Sequence, residues 1–245
     1  MKRIIKSATT FAIASLFALG ISSCDGMDVK TIVGSGNVKT ETRKIDGTFD
    51  HIKAERGLDV VVVQSDVTSV VVEADDNLLK GITTKLEGNT LVISSEYNSY
   101  SNVSSKKVTV KMPKITGIDA ESGSIVKSEG NLRSERLALT TSSGANMNVV
   151  AEADKLSAEA SSGSVLEVAG KALDFQTDSS SGSSVVAGEL LANDVVADAS
   201  SGSNILVHPL VKLSGNASSG GSIKYDGDPK SFTKDESSGG SVSKK

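Results

Sequence analysis

The chain has 245 residues, with 26 Lys and Arg against 30 Asp and Glu and a formal net charge of −4. Aromatics make up only 3%, Trp is absent, and 23 Gly stand beside 3 Pro. No basic tract or aromatic platform is present, which argues against nucleic acid as a partner, and valine-rich segments punctuated by Gly and Ser point to many short strands rather than helices.

Residues 1–23 read as a targeting signal. Lys2, Arg3 and Lys6 precede the apolar run "TTFAIASLFALGIS", which is too short for a comfortable membrane span. The run ends in Ile21-Ser22-Ser23-Cys24, an aliphatic residue three before a cysteine with small residues between, which resembles the bacterial lipobox. Cys24 is the only cysteine, so it has no internal disulfide partner. An ordinary signal peptide with a chance cysteine is the alternative. In the lipoprotein reading Cys24 is the lipidation site, and its acyl chains hold the protein at a membrane at about 0.8 kcal/mol per buried methylene. Cleavage leaves 23 cationic residues against 30 acidic ones, a net charge of −7 on the mature chain. Residues 24–32 form a short lipidated tether.

Residues 33–120 are expected to be irregular β coils or a β cap. "LDVVVVQ", "SVVVEA", "KLEGNTLVIS" and "KKVTVKMP" alternate or run as β-branched segments, with "EGNT" as a hairpin turn. "DDNLLKGI" reads as a helical turn or loop.

Residues 121–245 repeat. Ser-Ser-Gly or its variant recurs at Gly123, Gly144, Gly163, Gly182, Gly202, Gly220 and Gly239, about every 19 residues. A flexible linker would show no pattern around the glycine, but three residues after it stand Val126, Met147, Leu166, Val185, Ile205, Ile223 and Val242. Seven before it stand Thr116, Leu137, Leu156, Phe175, Val195, Leu213 and Phe232, and three before it the residues are small until Glu236. Positions −7, −5, −3 and −1 share one face of a strand, and the opposite parity is polar. The reading is an all-β solenoid of about 19 residues per coil, each coil two short strands and two turns. The glycine marks a corner of positive φ, with the −1 serines turned inward to bond one another or the turn backbone. The tail from Ser237 is expected to be a frayed last rung.

The lipobox, "VGSGNVKTETRKIDGTFDHIKAERGLDVVVVQ", "LEGNTLVIS" and the Ser-Gly coils together resemble a bacterial family of unknown function, "putative auto-transporter adhesin, head GIN domain". The resemblance spans Val33 to Val242, with Gly57-Leu58-Asp59-Val60 at the place of the signature. It implies a right-handed β-helix and a cell-envelope location, and it brings no catalytic residues. The outer membrane is the expected site, with the facing side left open.

No catalytic, metal or cofactor site emerges from the motifs. His51 and His208 stand far apart without ligand-spaced neighbours and read as surface or edge residues. "GSGNV" lacks the Lys-Ser/Thr of a P-loop. Four before the glycines stand Asp119, Glu159, Asp178, Asp198 and Asp235, interrupted by Thr140 and Asn216. This acidic column is either a solvated face or a calcium-binding ladder. The primary functional reading is a non-catalytic envelope lipoprotein that meets the membrane through its anchor and binds a glycan or an envelope or host protein. A purely structural spacer fits the same residues. The alternative is a β-helix polysaccharide lyase or hydrolase acting on acidic glycans, using acid pairs such as Asp75-Asp76, with Tyr97 and Tyr100 among the few aromatics for sugars.

Overall fold

The structure, a computed structural model, describes residues 29–245; the expected signal segment, residues 1–23, and the expected lipidation site Cys24 lie outside the described residues. Every regular element among them is a strand. The repeat is a β-solenoid of about seven turns, and its corner explains the recurring tripeptide. At each corner two successive residues have positive φ: Ser143 at 52° and Gly144 at 71°, Ser162 at 53° and Gly163 at 69°, and so on to Ser238 and Gly239. Positive φ at both central residues of a four-residue turn, closed by a bond such as Ala145 N–H to Ser142 O at 3.1 Å, is the pattern of a type I′ turn. Glycine carries no Cβ penalty there, whereas serine does.

The −1 serines do not face inward as the alternation suggests. Ser143, Ser162, Ser181 and Ser201 are exposed, because the left-handed turn reverses the chain before the strand parity reaches them. The inward hydroxyls belong to the residue after the glycine: Ser124, Ser164, Ser183 and Ser203 are at most 1% exposed. Each reaches one coil back, and Ser164, Ser183 and Ser203 also bond within their own turn. Ser183 Oγ donates to Ala160 O at 2.7 Å and accepts from Ser180 N–H at 3.1 Å; Ser203 Oγ donates to Ser179 O at 2.6 Å. The corner glycine's N–H donates to the next coil's serine carbonyl, as from Gly163 to Ser181 at 3.1 Å. These bonds satisfy backbone groups on the inner side of the corner that stacking the coils would otherwise leave unpaired.

Each coil contains one long strand and one tight turn rather than two short strands and two turns. The strands are Ile125–Thr141, Asn146–Ala160, Val165–Ser179, Ser184–Ala199 and Asn204–Ala217, paired in parallel with their neighbours in sequence. The second change of direction is made inside the strand, where two consecutive residues face outward: Asp154-Lys155, Leu173-Asp174, Asn193-Asp194 and Val211-Lys212. The hydrogen-bond ladder runs around this bend, so no second loop is needed. The interior columns stand as expected up to the last rung, where Phe232, in register with Leu213, is 40% exposed because no further coil covers it. Met147, Leu166, Val185, Ile205 and Ile223 pair directly with one another and are at most 2% exposed. Leu137, Leu156, Phe175, Val195 and Leu213 form the facing column, at most 3% exposed.

The irregular half is threaded out of order. His51–Ala54 lies between Gly117–Ala120 and Thr90–Ser95, parallel to both. Asp59–Gln64 lies between Ile125–Thr141 and Lys106–Met112, also parallel to both. The chain therefore lays down the coil 51–64, leaves it to build the layer beneath, and returns at residue 117 to stack on top. Arg56 at φ 56° and Gly57 at φ 69° make that coil's corner, and Gly57 N–H donates to Ser122 O at 3.0 Å. Gly57-Leu58-Asp59-Val60, the stretch that carries the family resemblance, is thus the first corner of the solenoid. Val60 pairs with Val126 at the foot of the +3 column. The outermost layer closes with antiparallel strands, Val38–Arg43 on Ser69–Asp75 and the hairpin Ile82–Glu87 with Thr90–Ser95.

At the other end the tail is a formed rung. Ser241–Lys244 pairs with Ser222–Tyr225, and Val242 is 4% exposed. Lys234 and Glu236 occupy positions that are interior in the coils before; they pair with each other at 2.9 Å, and Glu236 Oε1 accepts Val242 N–H at 2.6 Å. Charge in those columns interrupts the apolar core and blunts an otherwise sticky sheet edge.

Candidate functional site

The acidic column is a true ladder. Glu159, Asp178, Asp198, Asn216 and Asp235 pair in register from coil to coil. Burial first, and then the neighbouring Asp198 charge, push the Asp178 carboxyl above its ordinary range. Asn216 interrupts the repulsion by donating from Nδ2 to Asp198 Oδ1 at 2.7 Å. Among the described residues no three His, Cys, Asp or Glu side chains converge on a point that could hold a metal ion.

The acid pair in the irregular half is committed to structure. Asp75 is fully buried and accepts N–H groups from Gly36 at 2.8 Å, Ser104 at 3.1 Å and Ser105 at 3.0 Å. Asp76 accepts from Ser35 Oγ at 2.6 Å and Asn37 Nδ2 at 2.8 Å. Tyr97 and Tyr100 also serve the fold: the Tyr100 hydroxyl donates to Arg56 O at 2.9 Å and its ring covers Gly57, while Tyr97 lies over Gly81.

The two histidines are half-buried rather than free on the surface. His208 Nδ1 lies 3.2 Å from Gly188 O. His51 Nε2 lies 2.9 Å from Asp119 Oδ2, and the ring fits flat because Gly117 has no Cβ to meet it. The Asp119 bond holds the imidazolium above its ordinary range against the opposing effect of burial, and the Asp50 charge adds to it. A raised folded-state pKa contributes stability fully present below the unfolded value near 6.5 and lost as pH rises through the folded value. Thermal midpoints are therefore expected to fall as pH rises from about 6 to about 8, and His51→Gln is expected to flatten that slope. An unchanged slope in the variant would remove His51 as the cause.

Two grooves run along the outer faces. One, of about 810 Å³, is lined by Leu173, Leu191 and Leu210, with Glu135, Asp154 and Lys171 at its rim. The other, of about 670 Å³, follows the in-strand bend. Its wall is the column eight before each glycine: Arg136, Lys155, Asp174, Asp194 and Lys212, in register on successive coils. Beside it run Ala138, Ser157, Gln176, Val196 and Ser214. Lys155, Asp174 and Lys212 stand out in the sequence only as members of the polar parity. That they wall a groove is invisible there, because the bend that opens it has no glycine or proline to mark it.

Comparisons with known proteins agree with this architecture. A family model described as "Putative auto-transporter adhesin, head GIN domain" matches residues 48–229. A solved structure of a putative adhesin from Bacteroides fragilis is similar at a TM-score of 0.79 and 22% identity, over 87% of this chain and 100% of that one. One of a putative lipid binding protein from Parabacteroides distasonis is similar at a TM-score of 0.72 and 23% identity, over 88% and 100%. A putative adhesin from Parabacteroides merdae is similar at 0.69 and 17%, over 88% and 99%. At these identities the likeness is one of fold. No curated protein matches the chain.

Proposed function

From the premise that the chain belongs to the family described as "putative auto-transporter adhesin, head GIN domain", we propose that it is a lipoprotein of the cell envelope whose solenoid is a non-catalytic binding rod. Cys24 carries the lipid and holds the rod at the outer membrane, and the outer columns meet a glycan or a protein of the envelope or host. The observation that carries this reading is the register of the outer columns. Each outward position recurs on coil after coil, so a weak contact is repeated along the rod and summed. The lyase or hydrolase alternative drew on Asp75 and Asp76, and both carboxylates are occupied by backbone amides and neighbouring side chains.

Two strains test the reading. A Cys24→Ala strain is expected to move the protein from the membrane pellet to the soluble fraction. A deletion strain is expected to lose attachment to glycan-coated or host-cell surfaces. Attachment equal to wild type in the deletion strain would overturn the binding role, and a Cys24→Ala protein that stays in the pellet would overturn the anchor.

A further inference from the structure

The wall of the 670 Å³ groove stacks like charge on like charge at two of its four steps. In register along the rod stand Arg136, Lys155, Asp174, Asp194 and Lys212, so two cations are stacked, then two anions, then a cation. Rungs lie about 4.8 Å apart, so each like-charged pair is held close. None of the five makes an ion pair among the described residues, although Lys155 and Asp174, and Asp194 and Lys212, are direct neighbours in the ladder. Elsewhere the same chain pairs opposite charges across strands, as in Lys107 with Glu73 at 2.9 Å and Lys106 with Asp59 at 2.9 Å. The column therefore offers a doubled positive station and a doubled negative station, each unsatisfied, whose centres are two rungs or about 10 Å apart.

We propose that this groove binds an extended zwitterionic glycan, with an anionic group bridging Arg136 and Lys155 and a cationic group bridging Asp174 and Asp194. The inference rests on the reading of the rod as a binding surface and names the ligand class for one of its faces. A bound chain places opposite charge between the members of each pair, and by excluding water it strengthens both contacts. Lys212 offers a third station one rung on, which suits a polymer that repeats. The floor favours a glycan over a peptide. Ser157 and Gln176 present hydroxyl and amide groups that match sugar hydroxyls, and Ala138 and Val196 beside them offer apolar surface for a sugar's C–H face. The backbone here is spent on the coil-to-coil ladder, so a peptide's amides would find no strand edge to pair with.

The test is calorimetric titration of the whole protein near pH 6 and at low salt with three oligosaccharide probes. De-N-acetylated hyaluronan carries carboxylates and amines, native hyaluronan carries carboxylates alone, and chitosan carries amines alone. The zwitterionic probe is expected to bind about tenfold or more tighter than either single-sign probe. Lys155→Glu and Asp174→Lys are each expected to weaken it by about tenfold, with Lys155→Gln as a milder change at the same exposed position. Equal affinity for the three probes, no binding of the zwitterion, or variants that bind like wild type would each overturn the proposal. A short Glu/Lys peptide that binds as tightly as the glycan would overturn the assignment to glycan. Cells carrying Lys155→Glu with Asp174→Lys that attach like wild type, where the deletion strain does not, would sink this site and leave the binding rod standing.

Discussion

Asp75→Ala is expected to lower the unfolding free energy by about 4 kcal/mol, read as a fall in the urea midpoint with an unchanged slope. The carboxylate is fully buried and gathers three segments that are distant in sequence. Its Oδ2 accepts Gly36 N–H from the first crossing of the chain, and its Oδ1 accepts Ser104 and Ser105 N–H from the loop before Lys106–Met112. Removing it leaves three backbone donors without a partner, each costing about 1–3 kcal/mol where water does not reach. Asp75→Asn keeps the shape but offers a single carbonyl oxygen and turns an amide donor toward N–H groups, so a loss of about 2–3 kcal/mol is expected. The segment around Gly34–Asn37 should then become the first site of proteolysis. The neighbouring half-buried carboxylate is the comparison: Asp76→Ala loses side-chain bonds from Ser35 and Asn37 that water can replace, and should lower the midpoint much less. Equal effects at the two positions would show that burial is not the reason Asp75 matters.

Gly170→Ala is expected to destabilise by about 3 kcal/mol, and Gly163→Ala by only about 1 kcal/mol. Both glycines have positive φ, but the 69° of Gly163 lies in the left-handed region that other residues can reach and the 118° of Gly170 lies outside it, so backbone strain already favours the larger loss at Gly170. Their surroundings differ. A Cβ on Gly163 would meet nothing within 4 Å, because the corner faces solvent, whereas one on Gly170 would lie 2.0 Å from Ala151 O on the coil beneath. That contact is with backbone inside the ladder, so the rungs Asn146–Ala160 and Val165–Ser179 would have to part. Urea titration of the two variants side by side measures the difference. Equal midpoints would mean the rungs separate more easily than their packing implies.

The regular coils were legible because a solenoid writes its contacts into a fixed sequence offset. Once Gly163 and Gly182 are aligned, Leu166 and Val185 are neighbours in space by construction, and the apolar content of the column reveals the interior. The offset also misled. It carried strand alternation through the corner and turned Ser162 inward, whereas the two left-handed residues there reset the parity and pass the buried role to Ser164. A second turn in each coil is expected from the sequence, but its place inside the strand is not, because two outward residues in succession, such as Asp154-Lys155, leave no composition mark. The groove leaves no signal in the sequence for that reason, although Lys155, Asp174 and Lys212 fall on the polar parity of their strands.

Taken alone, the sequence determined the all-β class, the period near nineteen and the interior columns of the regular coils, since each is a local pattern repeated at fixed spacing. Only the tertiary structure decided that coil 51–64 lies between layers made later, that Asp75 closes the N-terminal layer, and that His51 meets Asp119. Those contacts join residues at irregular separations, and no periodicity reports a pairing that occurs once.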